Sequence, residues 1–145
     1  MCINFKKMNN NAKPPYRATE GSAGADLFAC IDEEIELKPG ERRLIPTGIA
    51  IELPDSSCGA FIFPRSSVAS KSGVSLANCV GVVDSDYRGA WFVPLINHGK
   101  APFTVEHGMR VAQMIPTRIL MPEIEVSDEL SETDRGSGGF GSSGI

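Results

Sequence analysis

From Glu34 onward, apolar and polar residues alternate in short segments, each closed by turn-forming residues. Ile35 and Leu37 lead into the turn Lys38-Pro39-Gly40-Glu41, and residues 44–53 then alternate through Ile49, Ile51 and Leu53. Residues 60–63, 91–96 and 102–105 repeat the pattern, with Asn97-His98-Gly99-Lys100 and Glu106-His107-Gly108 as turns. Side chains on a strand point alternately to its two faces, so each segment reads as a strand with one buried face. Many short strands at close spacing predict an all-β, jelly-roll-like distorted barrel or sandwich.

Two stretches break the period. Residues 66–72 follow a proline, carry Ala and Lys, and stop before Gly73, which predicts one or two turns of helix with an exposed N-terminus. Residues 135–144, RGSGGFGSSG, hold too little apolar surface to order themselves, so the chain divides into a β domain over 1–132 and a flexible tail over 133–145.

Composition narrows the class. With 145 residues and 41% hydrophobic content, the chain suits one compact domain with a real core. A net charge of −4 supplies no basic field to hold a long nucleic acid, so a nucleotide ligand should be small. The four cysteines form no C-x-x-C pair and follow no secretion signal, so free thiols in a reducing, cytoplasmic setting are expected. His98 and His107 sit beside glycines as turn residues rather than as zinc ligands. No apolar run approaches the roughly 18 residues of a membrane span.

Four segments ask for a chemical explanation. Pro64-Arg65-Ser66-Ser67 brings a guanidinium, two hydroxyls and free backbone N–H groups to the start of the helix, a natural phosphate grip; an N-cap serine beside a surface arginine is the plainer reading. Residues 81–89, GVVDSDYRG, place two acids and a tyrosine at a hairpin, where Asp-x-Asp is ordinary turn chemistry unless a partly buried Asp84 acts as a general base. Residues 23–27, AGADL, set one acid between small residues and a strand, and residues 108–113, GMRVAQ, space a polar pair along a strand. In the tail, Phe140 among small residues could stack on a base while Arg135, Ser142 and Ser143 reach phosphates; a linker would have the same composition.

In this order and spacing the segments resemble the five motifs of the dUTP diphosphatase family, over essentially the whole chain. The resemblance implies a homotrimer with each active site built from three chains, which hydrolyses dUTP to dUMP and diphosphate with Mg²⁺, supplying dUMP for thymidylate synthesis and limiting uracil in DNA. It implies that Asn78, Gly81, Val82, Val83 and Tyr87 form the uracil and deoxyribose pocket. A neighbour's Arg65, Ser66, Ser67 and Gln113 would hold the triphosphate. The third chain's tail would close as a lid, with Phe140 over the uracil and Arg135, Gly141, Ser142 and Ser143 on the phosphates. Asp84 would activate the water that attacks the α-phosphorus, and Asp26 would hold the metal's water shell.

The sequence departs from the family pattern at Met109, where an acid often precedes Arg110, and at Ser67-Val68, where Gly-Leu is commoner. The first removes a possible ion-pair partner of Arg110, and the second adds a side chain at the phosphate turn. Two other readings use the same fold: a dCTP deaminase-like enzyme, which needs a different base, and an inactive nucleotide-binding module.

Overall fold

A computed structural model describes residues 2–139 and 142 of the chain. It holds eleven strands: β1 (Asn4–Lys7), β2 (Ala25–Phe28), β3 (Ile35–Leu37), β4 (Arg42–Pro46), β5 (Ile49–Glu52), β6 (Cys58–Phe63), β7 (Val74–Leu76), β8 (Gly81–Val83), β9 (Phe92–Asn97), β10 (Phe103–Val105) and β11 (Arg110–Arg118). The helix α1 (Ser66–Ser72) lies between β6 and β7, with the bounds its sequence predicts.

Every pairing is antiparallel, and the long-range ones nest: β2 with β11, β3 with β10, β4 with β9. Nested pairing is what a long hairpin makes when it rolls up, the topology of a jelly roll. The strands form four open sheets, β1-β5, β10-β3, β2-β11-β6-β8 and β4-β9-β7, and among the described residues none closes into a barrel. The inward faces meet in one core that includes Leu27, Leu37, Ile45, Ile49, Val74, Val93, Leu95 and Val105.

The expected single run over 44–53 is two strands. Gly48 takes a left-handed backbone (φ 68°) between β4 and β5, and a side chain there would strike Cys30 Sγ at 2.7 Å. Such a break cannot be read from apolar alternation, because Ile45 and Ile49 are both buried on either side of it. The segment around Asp84 also differs from a simple hairpin. β8 pairs with β6, whereas β9 pairs with β4 and β7, so residues 84–91 cross from one sheet to another.

Asn97, read from sequence as part of a turn, is fully buried at the end of β9. Its Nδ2 donates to the carbonyls of Leu37 and Ala101 at 2.9 and 2.8 Å, and its Oδ1 accepts from Gly99 N at 2.8 Å. One amide thus ties the end of β3, the end of β9 and the following loop, satisfying polar backbone groups that burial would otherwise penalise. Gly73 closes α1 in a left-handed conformation (φ 69°), where a Cβ would meet Gly99 N at 2.7 Å.

All four cysteines are free thiols, with Cys2 and Cys79 exposed and Cys30 and Cys58 buried. Burial, and then the nearby Asp32 charge, pushes the Cys30 thiol up, which lowers its thiolate fraction at neutral pH. Replacing Asn97 with Ala should destabilise the fold by about 2–4 kcal/mol, because it strands buried polar groups. Urea unfolding at equilibrium measures the loss, and a midpoint equal to that of the parent protein would remove Asn97 from this role.

Candidate active site

The candidate side chains start from β11, the central strand, which pairs with β2 on one side and β6 on the other. Gln113 lies opposite Asp26 on β2 and opposite Phe63 on β6, so three strands contribute to one row. Arg110 lies opposite Phe28, and a register shift falls between Arg110 and Ala112. Residues three apart on a regular strand point to opposite faces; this bulge restores Arg110 to the face that carries Gln113 and Asp26.

On that face Asp26 is nearly buried and bonded to two cations. Arg65 Nε donates to its Oδ1 at 2.8 Å, and Arg110 Nη1 donates to its Oδ2 at 3.2 Å. Both oxygens expected to face a metal's water shell are therefore held by guanidiniums. Tyr16 bridges to the Asp26 backbone in both directions, at 3.1 and 2.7 Å, which fixes the start of β2. Gln113 Nε2 donates to Pro64 O at 3.0 Å, and its Oε1 lies 2.5 Å from where a Cβ on Gly24 would stand. Gly24 is small because the Gln113 amide passes over it.

Arg65 is also the N-cap of α1, in extended geometry and without a side-chain capping bond. Ser66 and Ser67 are exposed just beyond it, while Val68 packs against the core. The residue that departs from the commoner Gly-Leu pattern thus anchors the helix, and the hydroxyls remain on the outside.

Residues 78–92 form a second cluster. Asn78 is exposed and lies close to Gly81, and Cys79 turns the chain between them with a left-handed backbone (φ 61°). A cavity of about 190 Å³ is lined by Val83, Tyr87, Ala90, Trp91 and Phe92, with Leu27 and Ile62 behind. Tyr87 donates its hydroxyl to Ala90 O at 3.1 Å and packs over Gly89, where any side chain would collide with the ring. The tyrosine is held in one orientation at the cavity. Asp84 stands exposed, not partly buried, and lines a separate groove of about 590 Å³ with Phe61, Val82, Ile119 and Met121.

One chain does not bring Asp84 and Arg65 together. Val83 pairs with Ala60, and Arg65 lies five residues further along the same extended backbone, so Asp84 and Arg65 are separated by roughly 16 Å or more at about 3.3 Å per residue. Among the described residues of the tail, the hydrogen bonds are local to it. Arg135 Nε donates to Gly138 O at 2.9 Å, and Ser142 N bonds to Gly139 O at 3.0 Å. Phe140, Gly141 and Ser143 lie outside the described residues.

The dUTPase family model matches residues 10–144. The chain is 50% identical over 143 residues to the deoxyuridine 5'-triphosphate nucleotidohydrolase of Desulfitobacterium hafniense, covering 99% of this chain and 95% of the relative. It is 49% identical over 130 residues to the enzyme of that name from Cronobacter sakazakii, covering 90% and 86%. The chain belongs to the dUTPase family. Among solved structures, the Staphylococcus bacteriophage 80alpha dUTPase with dUPNHPP superposes with a TM-score of 0.89 at 26% identity, over 99% of both chains. The family match spans both clusters, the one around Asp26 and the one around Tyr87.

Two residues at these clusters escaped the sequence reading. Arg110 was visible only as half of a polar pair, because three-residue spacing on a strand predicts opposite faces. Trp91 was visible only as an apolar strand residue, although it lines the cavity with Tyr87 and its buried Nε1 has no partner among the described residues. Trp91 is the sole tryptophan of the chain. A pyrimidine nucleotide seated beside it should change its emission, so titration with dUMP should shift or quench the fluorescence. Unchanged emission at saturating dUMP would place the nucleoside elsewhere.

Proposed function

We propose that this dUTPase family member hydrolyses dUTP to dUMP and diphosphate in sites shared between the chains of a homotrimer. The observation that carries the reading is the separation of Asp84 from Arg65 along β6. A general base must stand within hydrogen-bond reach of the attacking water, and the phosphate grip must hold the same nucleotide. A second copy supplies the missing half: the Tyr87 cavity and Asp84 of one chain face Arg65, Ser66, Ser67 and Gln113 of the next.

In this reading the base and sugar occupy the cavity under Tyr87, with Asn78 and the backbone of Gly81, Val82 and Val83 reading the uracil edge. A polar edge matched by fixed donors and acceptors discriminates by about 10⁴ to 10⁵, enough to reject cytosine. Tyr87, held over Gly89, lies against the deoxyribose and leaves no room for a 2′-hydroxyl. Asp84, next to Val83 of the cavity wall, accepts a proton from the water that attacks the α-phosphorus, and diphosphate departs.

The triphosphate resists attack because its own charge repels a nucleophile, so neutralising that charge is the larger share of catalysis. Arg65, Gln113 and the serines of one neighbour do part of this. The tail of a third chain, through Arg135, Phe140, Gly141, Ser142 and Ser143, completes the enclosure and excludes water. Mg²⁺, a hard cation that prefers phosphate oxygens and water, would be held mainly by the nucleotide and would neutralise part of the phosphate charge. Among the described residues no group of three or more His, Cys, Asp or Glu side chains could hold it alone.

A dCTP deaminase-like reaction is tested at the same time. Purified protein with Mg²⁺ and dUTP, dTTP, dCTP or UTP should convert dUTP to dUMP and diphosphate and leave the others largely intact. Ammonia released from dCTP would favour the deaminase, and no product at all the inactive module. Replacing Asp84 with Asn should lower turnover by about 10² to 10⁴ while binding of dUPNHPP stays measurable. Near-normal turnover in that variant would remove Asp84 from the chemistry.

Shared sites have their own signature. Asp84→Asn and Arg65→Ala chains, each inactive alone, should regain activity when unfolded together and reassembled. Random reassembly leaves three quarters of trimers mixed, each with one intact site of three, so recovery should approach about a quarter of the parent rate. Mixtures that remain inactive would confine the site to one chain.

A further inference from the structure

Asp26 lies among the side chains read as gripping phosphate, and both its oxygens are already engaged by cations. Its side chain is 12% exposed, between Arg65 at 22% and Arg110 at 45%, and each of its oxygens accepts from a different guanidinium. An outer-sphere metal role needs a carboxylate oxygen turned toward coordinated water. Here each oxygen already accepts one guanidinium bond, which leaves it a single further acceptor direction, and the two flanking cations would repel a third.

We propose that Asp26 and Arg110 are positioning residues that aim Arg65 at the triphosphate. Arg65 spends its inner nitrogen, Nε, on Asp26, and among the described residues its two outer nitrogens have no bonding partner. A guanidinium held by its inner edge presents the outer edge as a rigid fork, the geometry that phosphate oxygens accept in pairs. Arg110 holds the second oxygen of the same carboxylate, so Asp26 is fixed at two points and cannot swing about its own Cβ–Cγ bond.

The bulge between Arg110 and Ala112 lies at the start of the longest strand and puts Arg110 on this face. Met109 offers Arg110 no charge, and Asp26 is the one acid paired with it among the described residues. A carboxylate shared by two arginines also leaves the cluster with a net positive charge, as a polyphosphate requires.

This inference rests on the reading of Arg65 as a phosphate ligand, so the parent protein is tested first. If it neither binds dUPNHPP nor hydrolyses dUTP, that reading falls, and this proposal with it. Given binding, Arg110→Ala is the main variant, since its side chain is nearly half exposed and its loss leaves the core intact. Asp26→Asn and the double variant complete a cycle.

Calorimetry with Mg²⁺ should show Arg110→Ala weakening dUPNHPP on the order of tenfold to a hundredfold, as expected for a misplaced binding group, with dUMP affinity nearly unchanged. Asp26→Asn should do the same. The double variant should be no worse than the weaker-binding single, because both act through one contact. The Mg²⁺ concentration for half-maximal activity, and Mn²⁺ bound beside dUPNHPP by electron paramagnetic resonance, should match the parent in all three.

Parent-like dUPNHPP affinity in Arg110→Ala would overturn the proposal. So would a raised Mg²⁺ requirement or lost Mn²⁺ signal in Asp26→Asn with none in Arg110→Ala, which would return Asp26 to the metal's water shell.

Discussion

β11 is the constraint on which the site depends. It is paired on both edges, with β2 and β6, and this is why an acid from one end of the chain, an amide from the other and an arginine from the middle share one face. Hydrogen-bonded register leaves little freedom: a slip of one residue would turn Gln113 and Asp26 to opposite sides. The bulge beside Arg110 is the single local departure, and it recruits a second cation to the same carboxylate.

The same ladder explains what one chain lacks. β6 is the shared neighbour of β11 and β8, so it leads to Arg65 at its far end and stands beside Asp84 near its beginning. An extended strand is a rigid spacer, and its length keeps Asp84 and Arg65 apart. The open groove beside Asp84 and the exposed Val82 and Met121 fit a surface completed by another copy of the chain. Catalysis in this reading is bound to assembly.

Small residues do geometric rather than flexible service here. Gly24 lets the Gln113 amide lie against the backbone, and Gly89 lets Tyr87 cross over it. Both fix a polar side chain in one pose before any ligand arrives, which reduces the ordering that binding must supply. Asn97 serves the scaffold in the same spirit, tying three backbone segments with one amide.

The all-β class, the helix over 66–72 and the motif segments around Asp26, Arg65, Tyr87 and Gln113 were legible in the chain itself, because period, turn residues and clustered polar groups are local signals. Local signals could not show that residues 44–53 break at Gly48, that residues 84–91 pass between sheets, or that Asp84 stands exposed. Nor could they show Arg110 meeting Asp26, since that contact depends on a bulge and on a pairing 84 residues apart in sequence. The sequence by itself determined which chemical groups are present and which strands carry them. Register, bulge and strand length, which arise only when distant segments pair, decided which of those groups meet.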